Sequence, residues 1–191
     1  MAQRRGRFCR RTAARLAVGG ALLCTAILGT AARANEAPLR SLAVLPFEIK
    51  DTSGEAIAPE ARAALLDAIT HIVRAEIQSS ALYDVVPGLR TDAAVQAADL
   101  GTYLRSCNGC DVEIARGLEA DRVLVGWIFK MSRLVLALHV RITDVASTRV
   151  VYDRTFDFRG DTQAAWQHAG RYMVRALTAS GHRAMPQTPT E

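Results

Sequence analysis

The residues best suited to chemistry in this sequence form a Cys-Asn-Gly-Cys motif, Cys107 to Cys110. Two thiols separated by two residues can close a local disulfide, exchange disulfides with another protein, or supply two ligands to a metal ion. A c-type haem is excluded because Asp111 stands where that attachment motif requires a histidine. We favour the structural disulfide, and the other two readings stay open.

The residues around the motif bear on these alternatives. Cys107 lies just before a predicted helix start, where the helix dipole lowers the pKa of a thiol, but Asp111 and Glu113 add negative charge nearby. The motif also does not follow a first β-strand, as the thioredoxin pattern requires. A structural zinc site needs four ligands, and His139 and His168 could approach the cysteines only through the fold.

No catalytic motif stands out elsewhere. The sequence contains no Gly-x-Ser-x-Gly, no phosphate-cradling glycine loop and no His-Glu-x-x-His. Asp51 and Glu55 are paired acids, which a solvated loop explains, and Asp153 and Asp157 fall on the wet side of an edge strand. We therefore predict a protein that is not an enzyme, with no cofactor and no metal site.

The clearest structural pattern lies in residues 122–160 and predicts three consecutive antiparallel strands. In the middle strand the leucines and β-branched residues alternate with other residues, which is the period of a strand with one buried face. The strand before it is apolar on both faces and is expected to be covered on both sides. The third strand, from Val150, has one solvent-exposed face and is predicted to be an edge strand.

The earlier part of the chain alternates strands and helices. We expect Asp111 to cap the third helix, and Thr91 or Asp92 to cap the second. Asp161 or Thr162 is expected to cap the last helix. The expected elements are strand 42–47, a polar loop 48–58, helix 59–78, strand 83–86, helices 92–104 and 112–118, the meander 122–160, and helix 161–180.

This order predicts an α/β fold, a three-layer α/β/α sandwich around a five-stranded mixed sheet. Helical crossovers make the first three strands parallel, and the meander makes strand 4 antiparallel, which gives the strand order 2-1-3-4-5. In such sheets a ligand binds beyond the carboxyl ends of the strands where the order reverses. The residues predicted for a ligand or partner loop there are Glu48, Asp51, Ser53, Gly54 and Lys130.

Residues 1–34 are predicted to be a secretory signal peptide cleaved after Ala34, and Sec and Tat export stay open. A polar leader, 35–40, is followed by one domain, 41–180, and a flexible tail, 181–191. Seven of the 24 basic residues and none of the 19 acidic residues lie in 1–34, so the mature chain has a net charge of −2. This excludes the basic footprint of a nucleic-acid partner. No stable membrane span is expected after cleavage.

Four segments resemble the amino-terminal domain of TolB and its relatives, which include the curli-secretion protein CsgG and penicillin-binding-protein activator lipoproteins. The segments are Leu42–Phe47, Ser79–Pro87, Ala115–Ile128 and Arg141–Gly160. The resemblance implies the sheet order given above and a non-catalytic interaction module of the cell envelope, with an envelope or periplasmic protein as partner. The sequence shows no propeller domain and no lipidated cysteine, so the known partners of those families are not carried over.

A closer resemblance is to small secreted proteobacterial proteins described as domains of unknown function. They share a Cys-x-Gly-Cys followed by an acidic residue, and a Gly-Trp in the next strand. Here these are Cys107, Gly109, Cys110, Asp111, Gly126 and Trp127. Some members are associated with periplasmic quinoprotein alcohol dehydrogenases. The resemblance therefore implies a periplasmic accessory role there, while thiol–disulfide or metal handling by Cys107 and Cys110 is the alternative.

Overall fold

The structure, a computed structural model, describes residues 38–180. The predicted signal peptide and tail lie outside the described residues. The strands are β1 (Ser41–Val44), β2 (Glu48–Asp51), β3 (Asp84–Val85), β4 (Arg122–Lys130), β5 (Leu136–Asp144) and β6 (Val150–Phe158). The α-helices are α1 (Pro59–Ser79), α2 (Gly88–Ala97), α3 (Cys110–Gly117) and α4 (Gln163–Ala179), and a 3-10 helix spans Leu104–Ser106.

One mixed sheet forms the centre of the domain, in the order β3-β1-β4-β5-β6. β1 runs parallel to both β3 and β4, whereas β5 is antiparallel to both β4 and β6. The predicted order, with strand 4 of the five expected strands antiparallel, is therefore confirmed.

The strand count differs from the prediction because Pro46 divides the first strand. The expected strand 42–47 ends at Val44, and the chain resumes pairing with β4 at Glu48 as β2. Proline has no N–H to donate to a sheet, so pairing breaks around it. The first four residues of the predicted polar loop 48–58 are consequently a strand, and the sheet has six strands in five positions.

Helices cover both faces of the sheet, as the three-layer prediction requires. On one face, apolar residues of β1, β4 and β5 pack under α1 and α4, with Trp166, Met173 and Leu177 fully buried. On the other face, Ala43 and Leu45 pack with Val123 and Val125 against α2, α3 and the 3-10 helix. The core is therefore in two parts, one on each side of the sheet.

Two predicted helix starts are wrong. α2 begins at Gly88, directly after Pro87, so Thr91 and Asp92 lie inside it, and it ends at Ala97 instead of near residue 104. α3 begins at Cys110, with Gly109 at its N-cap, so Asp111 lies in its first turn. Pro59 opens α1 as expected, and the Thr162 hydroxyl accepts from the Ala165 N–H at 3.2 Å as the cap of α4.

The helices α2 and α3 are short and leave part of their side of the sheet uncovered. The half-buried and exposed side chains on this side of β4, β5 and β6 are here named the open face; they are Trp127, Phe129, His139, Arg141, Asp153, Thr155 and Asp157. Alternation along the strands puts them all on one side. In residues 38–180, no helix has the length and apolar character needed to cross a membrane.

Candidate functional site

The cysteine motif lies at one border of the open face. Cys107 follows the 3-10 helix and Cys110 is the first residue of α3, with their Cα atoms 5.7 Å apart, a distance that a disulfide spans. Gly109 has φ of 91°, a left-handed conformation that favours glycine. The loop thus brings the two thiols together through a backbone turn that its glycine makes possible.

A carboxylate from the sheet fixes the segment before the motif. Glu48 of β2 accepts the N–H of Leu104 at 2.6 Å and that of Arg105 at 3.2 Å, and it also pairs with the Arg105 guanidinium at 3.0 Å. Charge-assisted bonds of this kind are strong. Glu48 was predicted to belong to a ligand or partner loop, which stays a prediction, and in the structure its carboxylate holds the 3-10 helix that precedes Cys107.

A second carboxylate fixes the segment after the motif. Asp111 is buried, and its Oδ2 lies 3.3 Å from the guanidinium of Arg141 on β5. Its position in the first turn of α3 also suits the helix dipole. The ion pair therefore anchors the start of α3 to the sheet at the edge of the open face.

A cleft of about 400 Å³ opens between the cysteine loop and the strands. It is lined in part by Cys107, Gly109, Asp111, Arg141, Thr143 and Val150. It therefore connects the cysteine loop with the open face, which sequence reasoning did not place together.

Two stacked rings occupy the middle of the open face. Trp127 and His139 lie directly opposite each other on β4 and β5, with ring centroids 5.0 Å apart and ring planes 2° from parallel. The His139 Nδ1 is 2.9 Å from the Thr155 hydroxyl of β6. Burial lowers the pKa of His139, although Asp153 and Asp157 act in the opposite direction. The imidazole is therefore mostly neutral at pH 7.

The glycine before Trp127 has a packing role on the opposite side of the sheet. A Cβ atom added to Gly126 would overlap the ring of Phe47. The Gly-Trp pair thus combines a residue that admits Phe47 to the core with a residue that presents an indole on the open face.

Most of the predicted loop residues meet at the ends of β2 and β4. Lys130 is fully buried, with its Nζ 2.7 Å from Asp161, 3.3 Å from Glu55 and 3.9 Å from Asp51. Ser53 donates to Asp51 from its hydroxyl at 2.6 Å and from its N–H at 2.9 Å. Gly54 follows with φ of 73°. Asp161 was missed, because it comes from the β6–α4 turn and no local pattern links it to Lys130.

The charged groups in this cluster stabilise one another in their ionised forms. Burial alone would lower the pKa of Lys130, but the nearby carboxylate of Asp161, with further contributions from Glu55 and Asp51, raises the pKa overall. Burial would raise the pKa of Asp51, but hydrogen bonds from Ser53 and the charge of Lys130 lower it overall. Lys130 therefore stays an ammonium ion, unsuited to act as a nucleophile. That the loop binds a ligand or partner stays a prediction.

The histidines do not join the cysteines. His139 lies on the open face, while His168 is exposed on α4, which packs against the opposite side of the sheet. Within residues 38–180, no group of three or more His, Cys, Asp or Glu residues is arranged to hold a metal ion.

The chain belongs to the family DUF3280, described as "Protein of unknown function (DUF2380)", whose model matches residues 40–177. This confirms the family of unknown function that the sequence indicated. No curated protein matches the sequence.

Among solved structures, the chain is similar to the LpoB C-terminal domain from Salmonella enterica, with 17% identity over 64% of this chain and 85% of that one and a TM-score of 0.45. It is also similar to lipoprotein GNA1162 from Neisseria meningitidis, with 12% identity over 74% of this chain and 98% of that one and a TM-score of 0.48. TolB from Acinetobacter baumannii matches at 12% identity over 75% of this chain but only 28% of its own, with a TM-score of 0.45.

Proposed function

We propose that this chain is a non-enzymatic interaction protein of the cell envelope that binds a protein partner on the open face of its sheet. The observation that carries the proposal is the position of Trp127, a large apolar side chain left half-buried in the middle of a sheet face. Aromatic residues are enriched where proteins bind one another. A face lined by strands and bordered by a loop whose flanking segments are bonded to the sheet offers a preorganised surface for such a contact.

The ionisable groups support a binding role over catalysis. Lys130 is neutralised by carboxylates and shielded from solvent. Asp111 and Arg141 are engaged with each other, and Glu48 with the 3-10 helix. His139 is near Thr155, but no side chain placed around it in residues 38–180 forms a nucleophile–base–acid relay.

Location in the periplasm is part of the proposal and is supported by the signal peptide predicted in residues 1–34. The resemblance to secreted proteins associated with quinoprotein alcohol dehydrogenases makes such an enzyme the first candidate partner. The cysteine pair fits the same compartment, since an oxidising environment preserves disulfides.

The test is affinity capture from periplasm with the tagged mature protein, comparing wild type with Trp127→Ala and Tyr172→Ala. Tyr172 is an exposed aromatic residue on α4, on the other side of the sheet, and is the matched control. We expect a specific partner that Trp127→Ala loses and Tyr172→Ala keeps. Loss of the partner in the Tyr172 variant alone, or capture of no specific partner by wild type, would refute the proposal.

A thiol–disulfide function is the second candidate, because Cys110 is partly accessible at the first residue of α3, where a thiolate is stabilised. The reduction potential of the pair separates the two functions. A value below about −300 mV indicates a structural bridge, whereas a value near those of thiol oxidoreductases favours exchange. Metal handling would require stoichiometric zinc in the purified protein, with ligands beyond Cys107 and Cys110.

A further inference from the structure

The strand β2 leaves one of its two edges free. It pairs with β4 on one side, and it pairs with no other strand of residues 38–180. Just after β2, the N–H of Thr52 donates to the Lys130 carbonyl of β4 at 2.9 Å. Alternate residues of a strand direct their backbone groups to opposite edges, so Ile49 and Asp51 direct their N–H and C=O groups to the free edge. Such an edge can accept a further strand.

The free edge is the floor of a cleft of about 440 Å³, here named the edge groove, which is lined in part by Ile49, Arg62, Leu66, Tyr103 and Arg105. Arg62 and Leu66 belong to α1, which packs on one face of the sheet. Tyr103 and Arg105 come from the 3-10 helix and the residue before it, on the opposite face. A cleft lined from both faces passes around the edge of the sheet. Walls on both faces would obstruct a second sheet, whereas a single extended segment can enter.

Two cations of the edge groove form no ion pair with any other residue in the described part of the chain. Arg62 is half-buried, and its buried Nε has no hydrogen-bond partner there. It acts electrostatically on Asp51 without forming an ion pair with it. Lys50 is exposed on β2. The carboxylates that line the groove are engaged, Glu48 with the 3-10 helix and Asp51 with Ser53. The unpaired charge of the groove is therefore positive.

We propose that the edge groove binds an acidic, extended segment of a partner protein, which adds to the sheet as a strand along β2. Hydrogen bonds to the backbone of Ile49 and Asp51 supply affinity, and the side chains of the segment supply specificity. Successive side chains of a strand point to opposite faces, so two adjacent acids would reach Arg62 on the α1 face and Lys50 on the other. The groove shares no residue with the open face, so the inference does not rest on the proposed function.

A peptide titration followed by NMR tests the inference. The probe is acetyl-Val-Thr-Glu-Glu-Thr-Val-amide, added to the ¹⁵N-labelled mature protein. The backbone amide signals of Ile49 and Asp51 report binding at the free edge. The amide signals of β6, at the other side of the sheet, are the internal reference and show that each variant is folded.

Two control peptides separate charge from strand addition. In the first, both glutamates are replaced by glutamine, which keeps the length of the side chains and removes their charge. In the second, the four inner residues are N-methylated, which keeps both carboxylates and removes the backbone donors. A groove that only attracts anions would bind the methylated peptide as well as the unmodified one.

We expect the acidic peptide to shift the Ile49 and Asp51 signals saturably and to leave the β6 signals unchanged. It should bind at least about fivefold more tightly than the glutamine peptide, and the methylated peptide should not bind. Arg62→Gln should weaken binding of the acidic peptide about threefold or more. Arg149→Gln, the control at an exposed arginine of the β5–β6 turn, should not weaken it.

Four results would overturn the inference. They are unshifted Ile49 and Asp51 signals, equal binding of the glutamine peptide, equal binding of the methylated peptide, and full binding by the folded Arg62→Gln variant. These measurements use no native partner. Failure of affinity capture through the open face would therefore refute the proposed function and leave the result for the edge groove unchanged.

Discussion

Replacement of Lys130 with methionine should destabilise the fold strongly, because Lys130 is a buried cation held by three carboxylates. Methionine retains the apolar stem of the side chain and removes the charge, which leaves Asp51, Glu55 and Asp161 facing one another. Removing one partner of a buried ion pair costs about 3–5 kcal/mol. Glu55 is 39% exposed and can turn to solvent, so we take the lower end, about 3 kcal/mol.

Urea unfolding of the mature protein measures this loss. With a slope of about 2 kcal/mol per molar urea, a loss of about 3 kcal/mol lowers the midpoint by roughly 1.5 M. Lys50→Met is the matched control, because Lys50 is exposed on the adjacent strand and surface changes alter stability by about 0.5 kcal/mol or less.

The pKa shifts of Lys130 and Asp51 predict how their contributions to stability change with pH. The pKa of Lys130 is raised, so its contribution to the stability of the fold is fully present below pH 10.5 and is lost as the pH rises through the folded-state pKa. The pKa of Asp51 is lowered, so its contribution is present above 3.8 and is lost as pH falls through the folded-state pKa. A loss below about 1 kcal/mol at neutral pH, or one equal to that of Lys50→Met, would refute this view of the cluster.

Three further predictions test other parts of the structure. Gly126→Ala should lower stability by about 1–3 kcal/mol in thermal unfolding, because the added Cβ would overlap the Phe47 ring. Gly117→Ala is the control and should not lower it, because an added Cβ there meets no other atom. Equal effects of the two substitutions would contradict this packing role of Gly126. The NMR titration midpoint of His139 should lie below 6.5 and fall further in the Asp153→Asn, Asp157→Asn variant, because both acids raise it. Because the pKa of His139 is lowered in the folded state, its contribution to stability is fully present above pH 6.5. That contribution is lost as the pH falls through the lowered, folded-state pKa. Replacing Cys107 and Cys110 with serine should cost roughly 2 kcal/mol and retain partner binding; loss of binding in a folded variant would favour thiol chemistry.

The strands of the meander could be assigned from the sequence because their side chains alternate. Leu136, Leu138, Val140 and Ile142 of β5 are all fully buried on one side, as the two-residue period required. The break at Pro46 was harder to place. The apolar run continues across it, and only the partner strand β4, nine residues long, shows that pairing resumes at Glu48.

The candidate site could be predicted only in pieces. The cysteine motif and Trp127 were recognised together only as residues shared with a family, and their connection through Arg141 depends on strand register and on the position of α3. His139 reads as one polar residue in an alternating strand, and its stacking on Trp127 appears only when β4 and β5 are paired. The lengths of α2 and α3 decide how much of the sheet stays uncovered, and helix boundaries are the least certain feature of a sequence-based prediction.

Site-specific photocrosslinking in the periplasm tests the central claim most directly. A photoreactive amino acid placed at Thr155, on the β6 side of the open face and opposite His139, is compared with one at Tyr172 on α4, and both positions are exposed. We predict a specific crosslinked partner from position 155 and none from position 172. The same partner from position 172 alone, or no crosslink from position 155 in folded, exported protein, would contradict the assignment of the open face as the binding surface.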